Sequence, residues 1–300
     1  MTVLGLGTYR CRDAEFSARV AAAAGCPLID TAAVYGAGTH QRAIAPILRR
    51  YPKVRVATKI GHMTAKQART ATAAGALPSV NLRHSIMPSY VRHQLAASAA
   101  ELGRERLDFV YLHNPDHGGA SDRDGLHQRI RSAMVELEWA RTDGLIGGYG
   151  IATWSGFTDG AFTVDSLVAL ARQAAGGPNT SFAAIQLPVS LVEITPIAQA
   201  LAGFGPIAEA QRAGLEVWAS APLHGGELVH LVNDALAAFI RQSATAAEAA
   251  LAVAASTPGL TGVLLSTSNA EHWNRAAHAV ARLLPPPRLR EISDLLTRAI

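Results

Sequence analysis

The stretch LIDTAAVYG at residues 28–36 decides the fold of this chain, because a short apolar run ends there on a polar residue, Asp30. Three further strings repeat this arrangement in order along the chain: VATKIG at 56–61, YLHNP at 111–115 and TGVLLSTSNAEH at 261–272. A parallel α/β barrel gathers its functional polar residues at the carboxyl ends of its strands. The four strings therefore predict strand ends of one barrel.

Short apolar runs alternate with longer helical stretches along the whole chain, a rhythm typical of βαβ units. Strands are predicted at 3–7, 27–30, 54–59, 107–112, 148–152, 183–187, 215–219 and 261–265. Helices are predicted at 13–24, 39–50, 89–102, 125–142, 164–175, 205–212, 243–256, from 269 onwards and at 287–299. Eight strands fit a (β/α)8 barrel. We therefore expect an α/β protein, a (β/α)8 TIM barrel that forms a single domain over residues 1–300.

Three connections are longer than usual and are predicted to be loops, 61–88, 114–124 and 221–242. Long loops on the carboxyl-terminal rim of a barrel commonly shape substrate pockets. Trp154 and Phe157, which follow the fifth predicted strand, are candidate apolar walls of such a pocket. Substrate selectivity is therefore expected to lie in these segments.

Composition is that of one globular domain, with 300 residues, 49% hydrophobic and 17% charged. A barrel of this type uses about 250 residues. The chain has no uncharged apolar run of about 18 residues, and its start lacks the layout of a signal peptide, so a cytoplasmic protein without a membrane segment is expected. The two cysteines, Cys11 and Cys26, are too few for a disulfide framework and are predicted to be reduced and buried.

The net charge of +4 and the pI near 9.3 raise the question of nucleic-acid binding. The basic residues are scattered, aromatic residues make up only 6%, and no basic stripe is interleaved with aromatics. No nucleic-acid partner is therefore expected. A mildly positive rim instead favours an anionic cofactor phosphate, because local positive potential raises the on-rate of anions.

Asp30, Tyr35, Lys59 and His113 form the candidate catalytic set. A free phenol has a pKa of about 10, so Tyr35 needs a nearby cation such as Lys59 before it can exchange a proton near neutrality. A lysine drawn into an apolar strand end needs a carboxylate to stay charged, and Asp30 fits that role. His113 would add a neutral donor that orients a substrate carbonyl.

Each of these residues also has an ordinary structural interpretation. Asp30 could simply cap or turn the chain, Tyr35 could pack on the barrel rim, and Lys59 could be a solvated strand end. His113 begins the polar segment HNPDH at 113–117, which is either a loop or a metal site. A metal is not expected, because this segment lacks a recognisable ligand spacing and the chain has only two cysteines.

Taken together, the strings resemble the aldo-keto reductase superfamily, whose (β/α)8 barrels bind a nicotinamide cofactor without a Rossmann fold. The resemblance covers nearly the whole chain. Besides the strings above it includes VLGLGTYR at 3–10, SAAELGRERLDFVYLHNPD at 98–116, ELEWARTDGLIGGYGIAT at 136–153 and AIQLP at 184–188. It implies that the matched Asp30, Tyr35, Lys59 and His113 are the catalytic tetrad of the family.

The resemblance also implies a cofactor site, for NADP(H) with NAD(H) as the alternative. The implied residues are Gly7, Thr8, Thr153, Gln186, Ser220, Leu223, Ser266, Thr267, Ser268, His272 and Arg275. Ser266 to Ser268 lie before a predicted helix, where backbone amides suit a phosphate. The string GLG at 5–7 is not a dinucleotide fingerprint, because position 10 is Arg10 and no helix opens on the glycine turn.

The cofactor positions also depart from the family pattern. The family's Ser-Asn pair after the fifth strand reads Ala152-Thr153, and the aromatic residue after the seventh strand is Ser220. The arginine for the adenosine 2′-phosphate aligns with His272, and Arg275 lies one turn further on.

The most favoured function is therefore an NAD(P)(H)-dependent oxidoreductase that reduces an aldehyde or ketone, or oxidises the matching alcohol, with Tyr35 as general acid/base. Its partner would be a small-molecule carbonyl or alcohol. Two alternatives stay open: a non-redox lyase or isomerase that uses Tyr35 and Lys59 for proton transfer alone, and a catalytically silent barrel that acts as a binding or regulatory subunit. A barrel fold alone does not decide among them.

Overall fold

Eight parallel strands close into a barrel in sequence order in the computed structural model, which describes residues 2–117 and 122–298. Each strand pairs with the next one, and the last strand closes on the first through pairs such as Leu4 with Val263. The strands are β1 (Val3–Gly7), β2 (Leu28–Asp30), β3 (Arg55–Ile60), β4 (Phe109–His113), β5 (Tyr149–Ala152), β6 (Phe182–Pro188), β7 (Glu216–Ser220) and β8 (Gly262–Leu265). The predicted (β/α)8 barrel is confirmed, and each predicted strand boundary lies within two residues of the observed one.

Helices surround this barrel. In the described residues they are α1 (Ala14–Ala23), α2 (Tyr35–Gly38), α3 (His40–Arg50), α4 (Ala65–Ala73), α5 (Pro88–Leu102), α6 (Arg123–Thr142), α7 (Val164–Ala175), α8 (Thr195–Leu201), α9 (Gly205–Arg212), α10 (Leu228–Leu231), α11 (Asp234–Ile240), α12 (Ala246–Ala255), α13 (Ala270–Ala281) and α14 (Pro286–Thr297). A 3₁₀ turn covers His224–Gly226. The predicted helices are all present.

Two of the three predicted loops contain helices. The segment 61–88 holds α4, and the segment 221–242 holds the 3₁₀ turn, α10 and α11. Helix α4 begins at a capping box, in which Thr64 accepts from the Gln67 backbone amide and the Gln67 side chain accepts from the Thr64 amide. Such reciprocal bonds satisfy the orphan donors of a helix start. The third predicted loop, 114–124, includes residues 118–121, which lie outside the described residues.

The apolar side chains form two separate cores. The larger core lies between the outer face of the sheet and the helices, where small alanines let α12 pack closely against β8. The smaller core fills the barrel interior with one residue from each of seven strands, namely Leu28, Ala57, Tyr111, Ala152, Ala184, Trp218 and Leu264. A filled interior makes the barrel a rigid support rather than a pore.

Charged residues close the amino-terminal end of the barrel. Arg55, which begins β3, makes a bidentate ion pair with Glu216 of β7, with both N···O distances at 2.9 Å. The indole Nε1 of Trp218 donates to the same carboxylate at 2.8 Å. These contacts tie opposite strands together below the interior core, so the open end of the barrel is the carboxyl-terminal end.

Both cysteines are free and buried, as predicted. Burial raises the pKa of the Cys26 thiol to about 11, which keeps it protonated and unreactive. Within the described ranges, no helix has the length and apolar character that a membrane span requires.

Candidate active site

A cavity of about 890 Å³ opens at the carboxyl-terminal end of the barrel. Residues at the ends of several strands line it, among them Gly7 of β1, Asp30 of β2, His113 of β4, Gln186 of β6 and Ser220 of β7. A cavity of this size falls in the range of small-molecule and cofactor sites, about 300–1,000 Å³. The fold therefore places the ends of distant strings around one space.

Asp30 and Lys59 form a buried ion pair at the base of this cavity. The Lys59 Nζ donates to Asp30 Oδ1, and it also donates to the backbone oxygen of Thr31 at 3.0 Å. The two residues are only 3% and 2% exposed. The other carboxylate oxygen of Asp30 accepts from Gln186 Nε2 at 2.9 Å. The structure thus brings together the predicted lysine and carboxylate.

Burial lowers the pKa of the Lys59 ammonium, and the adjacent Asp30 carboxylate acts in the opposite direction. This is the balance that the sequence predicted for a lysine at an apolar strand end. Removal of either partner would leave the other charge unpaired in a low-dielectric environment, which costs about 3–5 kcal/mol. Burying both charges also costs desolvation energy that apolar side chains in their place would avoid, so the pair is poorly suited to stability alone.

Tyr35 sits on an irregular turn that follows β2. Gly36 and Ala37 both adopt left-handed backbone angles, with φ of 57° and 54°. A side chain at Gly36 is also excluded by space, because an added Cβ would lie 2.0 Å from His40 Cδ2. A left-handed alanine costs on the order of 1 kcal/mol or more, and such strain is often found where a functional side chain must be aimed.

Helix α4 anchors this turn from the side. Gln67 Nε2 donates to the backbone oxygen of Ala33 at 2.7 Å, and Thr39 Oγ1 donates to the backbone oxygen of Gly36 at 2.7 Å. The segment that the sequence predicted to be a loop therefore supplies part of the support for Tyr35.

The Tyr35 ring contacts the other predicted catalytic side chains. Its centroid lies 4.9 Å from Lys59 Nζ and 5.9 Å from the His113 ring, which meets it edge-on at 85°. The ring of Tyr9 approaches from the other side at 5.2 Å. All four residues of the predicted set are therefore in one cluster.

The pKa of Tyr35 differs from the sequence-based expectation. Burial raises the pKa of the phenol well above 10, and the negative charge of Asp30 and the neighbouring Tyr9 raise it further. We expected the nearby Lys59 to bring this pKa down toward neutrality, and it does not do so in the structure, because burial of the phenol is the largest cause of the shift. The phenol therefore holds its proton at neutral pH.

His113 ends β4 and is predicted to be a neutral donor. Burial lowers the pKa of its imidazole well below 6.5, and the nearby Lys59 charge and the other imidazoles lower it further. A neutral ring with one N–H is therefore the state at pH 7, as the sequence-based argument requires. Its role in orienting a carbonyl stays a prediction.

The predicted cofactor residues fall into two groups. Six of them line the cavity: Gly7, Thr153, Gln186, Ser220, Leu223 and Ser266. Five lie outside its lining: Thr8, Thr267, Ser268, His272 and Arg275. The Asp30 carboxylate can only accept a hydrogen bond, so it is the Nε2 of Gln186 that contacts it. The Oε1 of Gln186 has no partner in the described part of the chain and is a free acceptor.

Several of the predicted cofactor residues are held by other protein groups. Arg275 makes a two-point ion pair with Glu248 of α12, with Nε and Nη2 each 3.0 Å from a carboxylate oxygen. Thr153 donates its hydroxyl hydrogen to Asp116 at 2.8 Å, and Thr8 donates to Thr31 at 2.9 Å. A phosphate role for Arg275 stays a prediction and requires exchange of the Glu248 contact.

The cavity lining includes residues that the sequence analysis did not assign to the site, namely Tyr9, Arg10, His62, Arg83 and His117. His62 follows the string VATKIG by one residue, which was the available signal. Trp154 lines the cavity as expected, whereas Phe157 packs edge-on against Phe162 at 5.2 Å and is not part of the lining. In residues 2–117 and 122–298, no group of three or more His, Cys, Asp or Glu side chains has an arrangement suited to a metal ion.

Comparisons with known proteins agree with this architecture. The family model described as "Aldo/keto reductase family" matches residues 4–296. An aldo-keto reductase from Klebsiella pneumoniae, solved in complex with NADPH, is 18% identical, with 98% of this chain and 90% of that chain covered and a TM-score of 0.69. The glycerol dehydrogenase from Gluconobacter oxydans is 19% identical, with 99% and 92% covered and a TM-score of 0.73. A sequence search of curated proteins gave no match.

Proposed function

Because the chain belongs to the aldo/keto reductase family, we propose that it is an NADP(H)-dependent oxidoreductase that reduces an aldehyde or ketone, or oxidises the matching alcohol, with Tyr35 as the general acid/base. The observation that carries this proposal is the buried Lys59–Asp30 pair in contact with the Tyr35 ring at the base of a large cavity. Burying two charges costs energy that apolar residues would avoid, so a chemical role accounts for them best.

The residues around the cavity fit a nicotinamide cofactor. The free Oε1 of Gln186 is an acceptor suited to the amide N–H of a carboxamide. Gly7, Ser220, Leu223 and Ser266 line the side of the cavity formed by β1, β7 and β8, where little side-chain bulk obstructs a ligand. The Thr153 hydroxyl donates its hydrogen to Asp116, so it contributes less to binding a carboxamide than its place in the cavity lining implies. When bound, a reduced nicotinamide supplies the hydride.

The protein's own contribution is the proton and its control. Tyr35, which is protonated at neutral pH, donates from its Oη to the substrate oxygen as negative charge develops there. The Lys59 ammonium beside the ring stabilises the phenolate that remains. Asp30 keeps that ammonium charged, and the neutral His113 donates one hydrogen bond to the same substrate oxygen. In the oxidation direction each step runs in reverse.

A cofactor-binding titration tests this proposal most directly. We expect saturable binding of NADPH to the purified protein, detected by the change in its fluorescence, and consumption of NADPH with a panel of aldehydes and ketones. Binding without turnover of any panel member would favour the silent-barrel alternative. No binding of either NADPH or NADH would contradict the proposal.

The same titration tests the proposed 2′-phosphate site. We propose that Ser266, Thr267 and Ser268 donate to the adenosine-side phosphate and that Arg275 or His272 supplies the positive charge. Arg275→Ala combined with His272→Ala should weaken NADPH binding about tenfold or more, the scale of one or two charge-assisted hydrogen bonds. The affinity of this double variant for NADH should be nearly the same as that of the unaltered protein. Equal loss for the two cofactors would mean that these side chains do not contact the 2′-phosphate.

Substitutions at His113 test its role as a neutral donor. His113→Ala should lower kcat by about 10²–10³, the usual cost of one donor to a developing oxyanion. His113→Gln keeps a donor of similar reach and should retain more activity than the alanine variant. Neither a chelator nor added zinc should change the rates of the unaltered protein. Inactivation by a chelator that added metal reverses would contradict this role.

A further inference from the structure

One wall of the cavity is built from histidines on the connections that follow β3 and β4. We define the histidine wall as His62, His84, His113 and His117. The ring of His62 meets those of His84, His113 and His117 nearly edge-on, at centroid distances of 4.7, 4.9 and 5.4 Å. His113 belongs to the catalytic cluster, but the proposed reaction does not use the other three.

The close packing of this wall depends on Gly61. Its φ is 153°, and an added Cβ would lie 2.5 Å from the backbone oxygen of His113 and 2.8 Å from His84 Nε2. An antiparallel bridge between His62 and His84 joins the two ends of the connection. The wall is therefore a fixed surface rather than a chance meeting of side chains.

Hydrogen bonds determine which nitrogen of His62 carries the proton. The backbone amide of Trp154 donates to Asn114 Oδ1 at 2.9 Å, so the Nδ2 of Asn114 must be the group that contacts His62 Nε2 at 3.0 Å. The Nε2 of His62 is thus an acceptor. Burial and the neighbouring imidazoles lower the pKa of His62 to about 4, so the ring is neutral and its proton lies on Nδ1. That N–H has no partner in the described residues and belongs to a cavity-lining side chain.

Arg83 is an exposed residue that lines the same cavity as His62. Its Nη1 donates to the backbone oxygens of Val80 and Leu82, both at 2.8 Å, which fixes the guanidinium in place. Its backbone oxygen accepts from the Met63 amide at 2.9 Å, so Arg83 and His62 are carried by paired segments. Within the described chain, no carboxylate pairs with Arg83 and its Nε and Nη2 have no acceptor.

The charges around this wall favour an anion. Arg129 lies behind it and donates to the backbone oxygens of Pro115 and His117. The nearby carboxylate, Asp116, accepts from Thr153 and lies 3.7 Å from His117 Nε2; its side chain is only 10% exposed, and it is not part of the cavity lining. Asp30, the only carboxylate among the described lining residues, is neutralised by Lys59.

This positive surface is separate from the proposed cofactor side. The residues proposed to hold the cofactor phosphate, Ser266 to Ser268, His272 and Arg275, follow β8, whereas His62 and Arg83 follow β3. β8 and β3 lie three strands apart around the closed barrel. The cofactor phosphates therefore do not account for Arg83. When a substrate carbonyl lies at Tyr35 and His113, the side of the cavity that holds His62 and Arg83 is left for the rest of the substrate.

We propose that Arg83 and His62 bind a carboxylate on the substrate, so that the preferred substrates are aldehydes or ketones that carry an acidic group away from the carbonyl carbon. This inference rests on the proposed carbonyl reduction. The guanidinium offers two free donors in the geometry that matches a carboxylate, and the His62 Nδ1–H adds a third.

Matched substrate pairs test the inference. We would measure kcat/KM with NADPH for para-carboxybenzaldehyde and for succinic semialdehyde, each beside its methyl ester, which keeps the carbonyl and removes the charge. The unaltered protein should prefer the acid in at least one pair. Arg83→Gln should lower the acid-to-ester ratio of kcat/KM by about tenfold or more, through the KM of the acid, because the carboxylate is bound equally in the ground and transition states.

Three further variants sharpen this test. Arg83→Lys should recover part of the ratio, since it keeps the charge but not the planar fork. His62→Phe should lower the ratio by less than Arg83→Gln, because it removes one neutral donor and keeps the ring contacts. Arg69→Gln is the control. Arg69 is exposed on α4 in the same connection, does not line the cavity and makes no hydrogen bond or ion pair among the described residues, so its loss should leave the ratio unchanged.

A binding measurement separates failure of this inference from failure of the proposed function. Benzoate should bind to the unaltered protein more tightly than benzamide in a calorimetric titration, and Arg83→Gln should remove that difference whether or not the protein consumes NADPH. Equal acid and ester rates together with equal benzoate and benzamide binding would overturn the inference. Acid-selective binding without turnover of any carbonyl would support the carboxylate site at Arg83 and His62 and contradict the proposed function.

Discussion

Tyr35→Phe lowers the rate of carbonyl reduction by about two to four orders of magnitude, the range expected for loss of a general acid. The substitution removes the phenolic proton but keeps the ring that contacts Lys59, His113 and Tyr9. Steady-state NADPH consumption with the best substrate of the panel measures this loss.

Cofactor binding provides the control for this variant. NADPH affinity should barely change, because the ring stays in place and the missing hydroxyl acts on the substrate oxygen. A fall in activity that merely follows a loss of NADPH binding would point to a positioning role instead. Turnover close to that of the unaltered protein would show that Tyr35 is not the proton donor.

The raised pKa of Tyr35 gives the proton step a specific pH dependence. Reduction requires the protonated phenol, so its rate should be level from neutral pH upward and fall only as the pH rises through the phenol pKa, which lies above 10. Oxidation requires the phenolate, so its rate should instead increase as the pH rises. Because burial lowers the pKa of His113 well below 6.5, this imidazole should not change its protonation state, or the rate, above pH 6.5.

Lys59→Met and Asp30→Asn should each lower turnover strongly, and the double variant should lose about as much as Lys59→Met alone. The reason is that the two residues act as a unit. The Lys59 ammonium stabilises the phenolate, and without Asp30 a lysine buried to this extent loses its proton and its effect. Groups that act as a unit give non-additive losses in kcat. Losses that multiply in the double variant would contradict this coupling.

Unfolding measurements provide the control for these three variants. Each single substitution leaves one buried group without its partner, whereas the double substitution removes the charge of both. The double variant should therefore be at least as stable to heat as the less stable single variant. Low activity in a double variant with a normal Tm separates the loss of chemistry from the loss of structure.

The strands and the candidate catalytic set could be predicted from the sequence because both are local patterns. An apolar run that ends on a polar residue indicates a strand with that residue at its carboxyl end. Closure of the barrel then brings the strand ends that carry Asp30, Lys59 and His113 together. Helix α4 was missed, although its capping box is visible in the string TAKQ at 64–67. It lay inside a segment whose turn residues favoured a loop.

The sequence by itself determined the barrel, its family and the candidate catalytic residues, since period, order and residue type along the chain specify them. Only the tertiary structure decided the electrostatics of the site. Whether Arg275 is paired with Glu248, and whether the pKa of Tyr35 rises or falls, depends on which charges the packing of distant elements brings within a few ångströms. The same holds for the pairing of the segments that carry His62 and Arg83. Burial and charge act through space, so residues far apart in sequence set the chemistry of each group.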